Sequence, residues 1–217
     1  RDRSYMGNIR LFFSNSISTG MTGMLDKSQS HYLNKVMRIK ENEFFSLFNN
    51  KGEWEAKILK ISKGLVEFEI IKQLRQKENM KDLWLAFSPI KSNYQNFMIQ
   101  KATELGVTKF LPIIFDRTIV RSINIERLKK IAIEASEQSN RINIPSIEQT
   151  QNLESFLNSN LVDLIFTDLN STNKKIDKSK LTNKPICIIV GPEGDFSELE
   201  REKTVSYTHL RAHETSI

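Results

Sequence analysis

The chain has 217 residues, 39% apolar and 27% charged, an ordinary globular composition that excludes wholesale disorder and collagen-like repeats. Lysine and arginine number 32 against 26 acidic residues, and the net +6 suits an anionic partner without requiring one. The single cysteine excludes an internal disulfide, no Cys/His cluster has zinc spacing, and no apolar run approaches the ~20 residues of a bilayer span.

The residues before Met6 lack the apolar core of a secretory signal, so Met6 reads as the natural start of a cytoplasmic protein. Residues 9–13 and 43–48 read as strands flanking a helix on which His31, Lys35 and Arg38 recur. Turn chemistry at 49–52 and at Lys63-Gly64 separates two further strands, 54–59 and 65–70. Short strands at this spacing predict a small antiparallel barrel over 6–72, followed by a polar linker over 73–81.

From residue 82 the pattern becomes α/β. A strand over 82–87 ends at Ser88-Pro89, and a helix opens near Ser92, which has capping-box spacing to Gln95. Tyr94, Phe97, Met98, Ala102 and Leu105 form its expected apolar face, and Gly106 its stop. Residues 110–115 read as a strand that Pro112 assigns to an edge or a bulge. A second helix begins near Asn124 and turns Leu128, Ile131, Ala132 and Ala135 inward. Residues 161–166 and 185–190 are apolar runs suited to strands buried on both faces, joined by a polar loop over 171–184. This alternation predicts a mostly parallel sheet with helices on both sides, and hence two domains.

Gly191-Pro192-Glu193-Gly194-Asp195-Phe196-Ser197 leaves a buried strand at its carboxyl end, where open α/β sheets bind ligands. Gly191 and Gly194 permit close approach and positive φ, and Ser197 with Glu200 caps the next helix. On local chemistry alone a plain strand-to-helix turn and a ligand loop fit equally well. Glu134, Gln138 and Arg141 fall at i, i+4 and i+7, a polar stripe that is a solvated face unless a partner occupies it. Arg10, Arg117 and Arg121 are further basic positions where an anionic strand could lie.

Four segments in order carry a resemblance: His31-Tyr32-Leu33-Asn34-Lys35-Val36-Met37-Arg38, Gln100-Lys101-Ala102-Thr103-Glu104-Leu105-Gly106-Val107, the stretch Ile131 to Arg141, and the 191–197 bend. Together they resemble the RsmE family of 16S ribosomal RNA uridine N3-methyltransferases, of the SPOUT class. The resemblance implies a PUA-like β-barrel for RNA over 6–72 and a trefoil-knotted SPOUT methyltransferase domain over 82–204 that forms a homodimer. It implies S-adenosylmethionine as methyl donor, held by Thr167, Val190, Gly191, Pro192, Glu193 and Gly194, and no metal. Arg117 and Arg141 become the catalytic candidates. Arg10, His31, Lys35, Arg38, Arg121 and Gln138 become the candidates for binding 16S rRNA of the small ribosomal subunit.

Two departures stand out. Asp195 replaces the second glycine of the family's bend, a position where aspartate tolerates left-handed geometry. Residues 205–217 depart from the family's final strand and helix and resemble translated adapter sequence, so the expectation is a C-terminally truncated domain with an incomplete knot and weak cofactor binding. A non-catalytic RNA-binding protein, and a SPOUT enzyme acting on another RNA position, are the competing readings.

Overall fold

The computed structural model describes residues 9–159, 161–168, 179, 181–208 and 210–213; Met6, most of the 171–184 loop and residues 209 and 214–217 lie outside them. The chain divides into two units, Arg1–Asn79 with Ser136–Ile144, and Met80–Ala135 with Pro145–Ile217.

Among the described residues, five strands build the first unit: β1 (Arg10–Phe12), β2 (Thr22–Met24), β3 (Phe44–Asn49), β4 (Gly52–Ser62) and β5 (Leu65–Gln76), paired in the order β1-β3-β4-β5-β2. Alternating side chains of β3, β4 and β5 send Phe45, Leu47, Trp54, Ile58, Val66 and Phe68 into one core. Three register shifts along β4–β5 mark bulges, which bend and coil the long ribbon. The expected all-antiparallel barrel is corrected at one pair. β1 lies parallel to β3, because the chain between them forms β2 and α1 (Lys27–His31), a crossover instead of a hairpin.

The expected linker also begins later. β5 continues to Gln76 because Gln73 and Arg75 still pair with Trp54 and Glu53. Asp26 caps α1 through the Gln29 N–H, a five-residue π-helical segment Tyr32–Val36 follows, and Arg38 turns the chain at φ 54°.

In the second unit β6 (Leu83–Phe87), β7 (Lys109–Ile114), β8 (Ser146–Ile147), β10 (Asp163–Asp168), β11 (Ile186–Val190) and β12 (Leu210–His213) form a wholly parallel sheet in the order β12-β10-β11-β6-β7-β8; β9 (Gln151–Asn152) pairs with β7 beyond β8. Pro112 therefore sits in no edge strand. β8 ends its pairing at Phe110 and β9 begins at Ile113, so the missing N–H falls in the gap between two short partners. Leu210–His213, within the stretch that departs from the family, pairs in register with β10.

The helices are α2 (Ser92–Glu104), α3 (Ile125–Gln138), α4 (Leu153–Asn158) and α5 (Glu198–Tyr207). The buried face of α2 is only partly the expected one. Met98 and Ala102 pack against the core beside buried Gln95, Ile99 and Thr103, while Tyr94, Phe97 and Leu105 are exposed. The polar pair is tolerated inside because each bonds locally: Gln95 accepts the Ile90 N–H, and Thr103 Oγ1 donates to the Ile99 carbonyl at 2.7 Å. Gln95 thereby replaces the expected Ser92 capping box. The apolar face of α3 is as expected, with Leu128, Ala132 and Ala135 buried and Asn124 accepting the Arg127 N–H. The unit boundary falls within α3, and Ser136–Ile144 groups with the first unit.

Candidate active site

Parallel strands end together, and the loops leaving β6, β7 and β11 line one cleft: Ser88, Pro89, Ile90 and Lys91, then Arg117, Ile119 and Val120, then Pro192 and Glu193. β6 and β11 are neighbours although the chain leaves β6 toward β7 and returns through β10. This reversal of strand order is where open α/β sheets bind ligands.

The bend after β11 is shaped by packing as much as by glycine freedom. Neither Gly191 nor Gly194 takes positive φ; Asp195 does, at 63°, in agreement with its expected tolerance. Asp195 is held there by its own N–H to the Pro192 carbonyl, by its carboxylate accepting the Phe196 N–H, and by Arg201 at 2.6 Å. Gly191 is required for another reason: a Cβ there would stand 2.8 Å from Phe196 Cδ2. That ring is wedged edge-on between Phe115 and Phe166, at 5.1 and 4.8 Å between centroids.

Two of the candidate groups are brought together. Arg117 Nη1 donates to the Gly194 carbonyl at 2.7 Å, so an exposed guanidinium lies against the bend. Thr167, at the end of β10, donates to the Ile189 carbonyl of β11 at 2.8 Å, one strand from the bend. Among the described residues no hydrogen bond uses the N–H groups of Gly191, Glu193 or Gly194, which leaves main-chain donors for a ligand.

Sequence reasoning missed the residues that hold this arrangement. Ser88 and Thr118 join hydroxyls at 3.0 Å, and Thr118 Oγ1 accepts the Phe115 N–H. Buried Glu200 accepts the Asp116 N–H at 2.7 Å and the Ser197 N–H at 3.0 Å. The capping-box spacing of Ser197 and Glu200 was visible in sequence; the reach to Asp116 had no local signal.

The other basic candidates separate. His31, Lys35 and Arg38 are all exposed on the short helical stretch of the first unit. Arg121 is exposed after the cleft-lining Ile119 and Val120, and Gln138 is exposed at the end of α3. Arg141 is not on the helical stripe, because α3 stops at Gln138 and Asn140 turns at φ 59°. Its side chain is buried in the first unit, and burial lowers its pKa from the ordinary guanidinium value.

Arg10 is the clearest correction. It is buried, and all five donors are used: Glu53 takes Nε and one Nη2 proton, and the carbonyls of Ser136, Glu137 and Arg141 take the rest. Its guanidinium also lies 4.4 Å from the Phe48 ring centroid. A saturated, enclosed arginine has no proton left for a phosphate.

A family model described as RNA methyltransferase domain matches residues 77–210, and one described as RNA methyltransferase PUA domain matches 25–71. Ribosomal RNA small subunit methyltransferase E of Rickettsia conorii is 36% identical over 186 residues, covering 84% of this chain and 76% of its own length. This chain belongs to the methyltransferase E family. The family's member from Buchnera aphidicola (strain APS) is 30% identical, over 91% of this chain and 82% of its own. A crystal structure of methyltransferase E from Neisseria gonorrhoeae bound to S-adenosyl methionine superposes with a TM-score of 0.87 at 27% identity, over 96% of this chain and 90% of that one.

Proposed function

We propose that this chain, against the weak cofactor binding expected from its departing C-terminal stretch, methylates small-subunit ribosomal RNA with S-adenosylmethionine, and that the acceptor is N3 of a uridine. The pairing of β12 with β10 supports a sheet that this stretch helps to complete. The observation that carries the reading is the exposed Arg117 guanidinium bonded to the Gly194 carbonyl at the cleft where three parallel strands end. The free main-chain donors of the bend and the apolar wall of Ile119, Val120 and Pro192 suit an adenosyl group; Thr167, Val190, Gly191, Pro192, Glu193 and Gly194 would hold it. When bound, that group supplies an electrophilic methyl on a sulfonium.

The acceptor nitrogen is an imide, weakly acidic and protonated at neutral pH, so charge develops on the base as its proton leaves. A fixed cation beside the cleft stabilises that developing anion without reorganising. Arg117 has this role in the reading, and Arg141 is buried. The base must leave its stack to enter such a cleft. His31, Lys35 and Arg38 in the PUA-like unit supply phosphate contacts to 16S rRNA.

As an enzyme of ribosome biogenesis the protein would work in the cytoplasm, where its RNA is. The exposed stripe Tyr94, Phe97 and Leu105 on α2 supports a homodimer, since apolar side chains uncovered on one helix face suit a second copy. The deciding test is methyl transfer from radiolabelled S-adenosylmethionine to small-subunit RNA, with mass mapping of the product. Label at uridine N3 carries the proposal; binding of RNA with no label transferred supports the non-catalytic reading, and label elsewhere supports another SPOUT specificity.

A further inference from the structure

The capping box of α5 does more than end a helix. Capping needs one Glu200 oxygen, and Oε2 supplies it by accepting the Ser197 N–H at 3.0 Å. The other oxygen, Oε1, accepts the Asp116 N–H at 2.7 Å, 84 residues away in sequence. Ser197 makes a second link to the same residue, its hydroxyl donating to Asp116 Oδ2 at 2.7 Å. Asp116 is therefore held at its main chain and at its side chain by one helix start. Thr118 is fixed on the other side of Arg117 by Ser88 and by the Phe115 main chain.

We infer that Glu200 is a positioning residue for methyl transfer: it clamps the loop after β7 onto the bend after β11 and so holds the Arg117 guanidinium at the cleft. Glu200 is buried and does not line the cleft, so its action runs through Arg117. A carboxylate with both oxygens engaged by N–H groups is a stiff link, since moving either loop would strand a buried charge. The inference rests on the proposed methyl transfer, but the clamp itself has a readout that needs no activity.

The test uses Glu200→Asp in the full chain. Aspartate keeps the charge at the start of α5 yet is one methylene short of Asp116. Amide hydrogen exchange at Asp116 should speed up while α5 remains protected. The kcat for methylation of small-subunit RNA should fall roughly 10–100-fold, the scale of an ångström-sized misplacement, with KM for the RNA little changed. In an Arg117→Ala background the same change should cost nothing further. Ser197→Ala, which removes the hydroxyl link and the hydroxyl's own cap on the Glu200 N–H, should shift both readouts the same way by less while loosening the first turn of α5. Unchanged Asp116 exchange would overturn the clamp, and an equal kcat loss with and without Arg117 would overturn its action through that residue. Should the unaltered chain transfer no methyl, the proposed function fails, and the exchange measurement alone decides the clamp.

Discussion

Arg10 and Glu53 meet as a two-point ion pair, Nε to Oε1 at 2.8 Å and Nη2 to Oε2 at 3.3 Å, with both side chains almost wholly removed from solvent. Glu53 also takes Arg75 at 3.1 Å, and Arg75 donates to the carbonyl and side chain of Asn140. Two arginines bridged by one carboxylate thus fasten 136–141 to the strands of the first unit.

Arg10→Ala should therefore damage the fold, not RNA affinity as such. Removing Arg10 leaves buried Glu53 with Arg75 alone and takes the donor from the Ser136, Glu137 and Arg141 carbonyls, a buried-network loss of about 3–5 kcal/mol. Urea unfolding should show a loss of that size. Unchanged stability with weakened RNA binding would restore Arg10 to the RNA-binding set.

Why Arg10 misled sequence reading has a physical basis. A charge in a short strand reads as exposed, and its partners lie 43 and 126–131 residues away, where no local periodicity reports them. The strand alternation of β3 to β5 and the inward face of α3 were legible because burial follows the local repeat. On α2 the repeat held for Met98 and Ala102 but not for Tyr94 and Phe97, because Gln95 and Thr103 bond locally and take inward positions while those two rings stay outside. At the site, the bend was legible as a motif, but the need for Gly191 came from Phe196, a packing fact visible only in three dimensions.

Gly191→Ala should destabilise the bend. The new methyl meets a ring that Phe115 and Phe166 prevent from swinging away, and overpacking of this kind costs about 1–3 kcal/mol. Phe196→Leu in the same chain should recover part of that loss, although it is destabilising alone. Thermal melts of the two single variants and the double variant measure the coupling; simple additivity would refute a steric cause.

Cys187 should be inert in the folded protein. Burial raises its thiol from the ordinary 9.0 to about 12, against a smaller opposing effect from the Ala86 backbone. Near pH 8 the thiolate fraction is negligible, so a disulfide reagent should label the chain only after denaturation. The folded state holds this proton more tightly than the unfolded one. Its contribution to stability is complete below about 9 and declines as pH rises toward about 12. Prompt labelling of the native chain would contradict this burial.

Lys35→Glu with Arg38→Glu should weaken binding to small-subunit RNA and flatten its salt dependence. Both side chains are exposed on one short segment, so neither supports the core. Every phosphate no longer neutralised should lower the log–log salt slope by about 0.7–0.9. Binding isotherms at several salt concentrations give that slope, and unfolding curves should not move. A slope identical to that of the unaltered chain would remove this segment from the RNA path.

Phe97→Asp should convert the proposed homodimer to a monomer. Phe97 is 62% exposed, with Lys101 5.9 Å from its ring centroid and Tyr94 and Leu105 exposed on the same helix. The substitution creates no cavity, because the ring fills none, so the monomer should keep its melting temperature apart from the concentration-dependent part that association supplies. Light scattering across a dilution series gives the mass, and melts at two protein concentrations separate the two contributions. If the variant stays dimeric, the second copy covers another face, and the α2 stripe needs a different occupant.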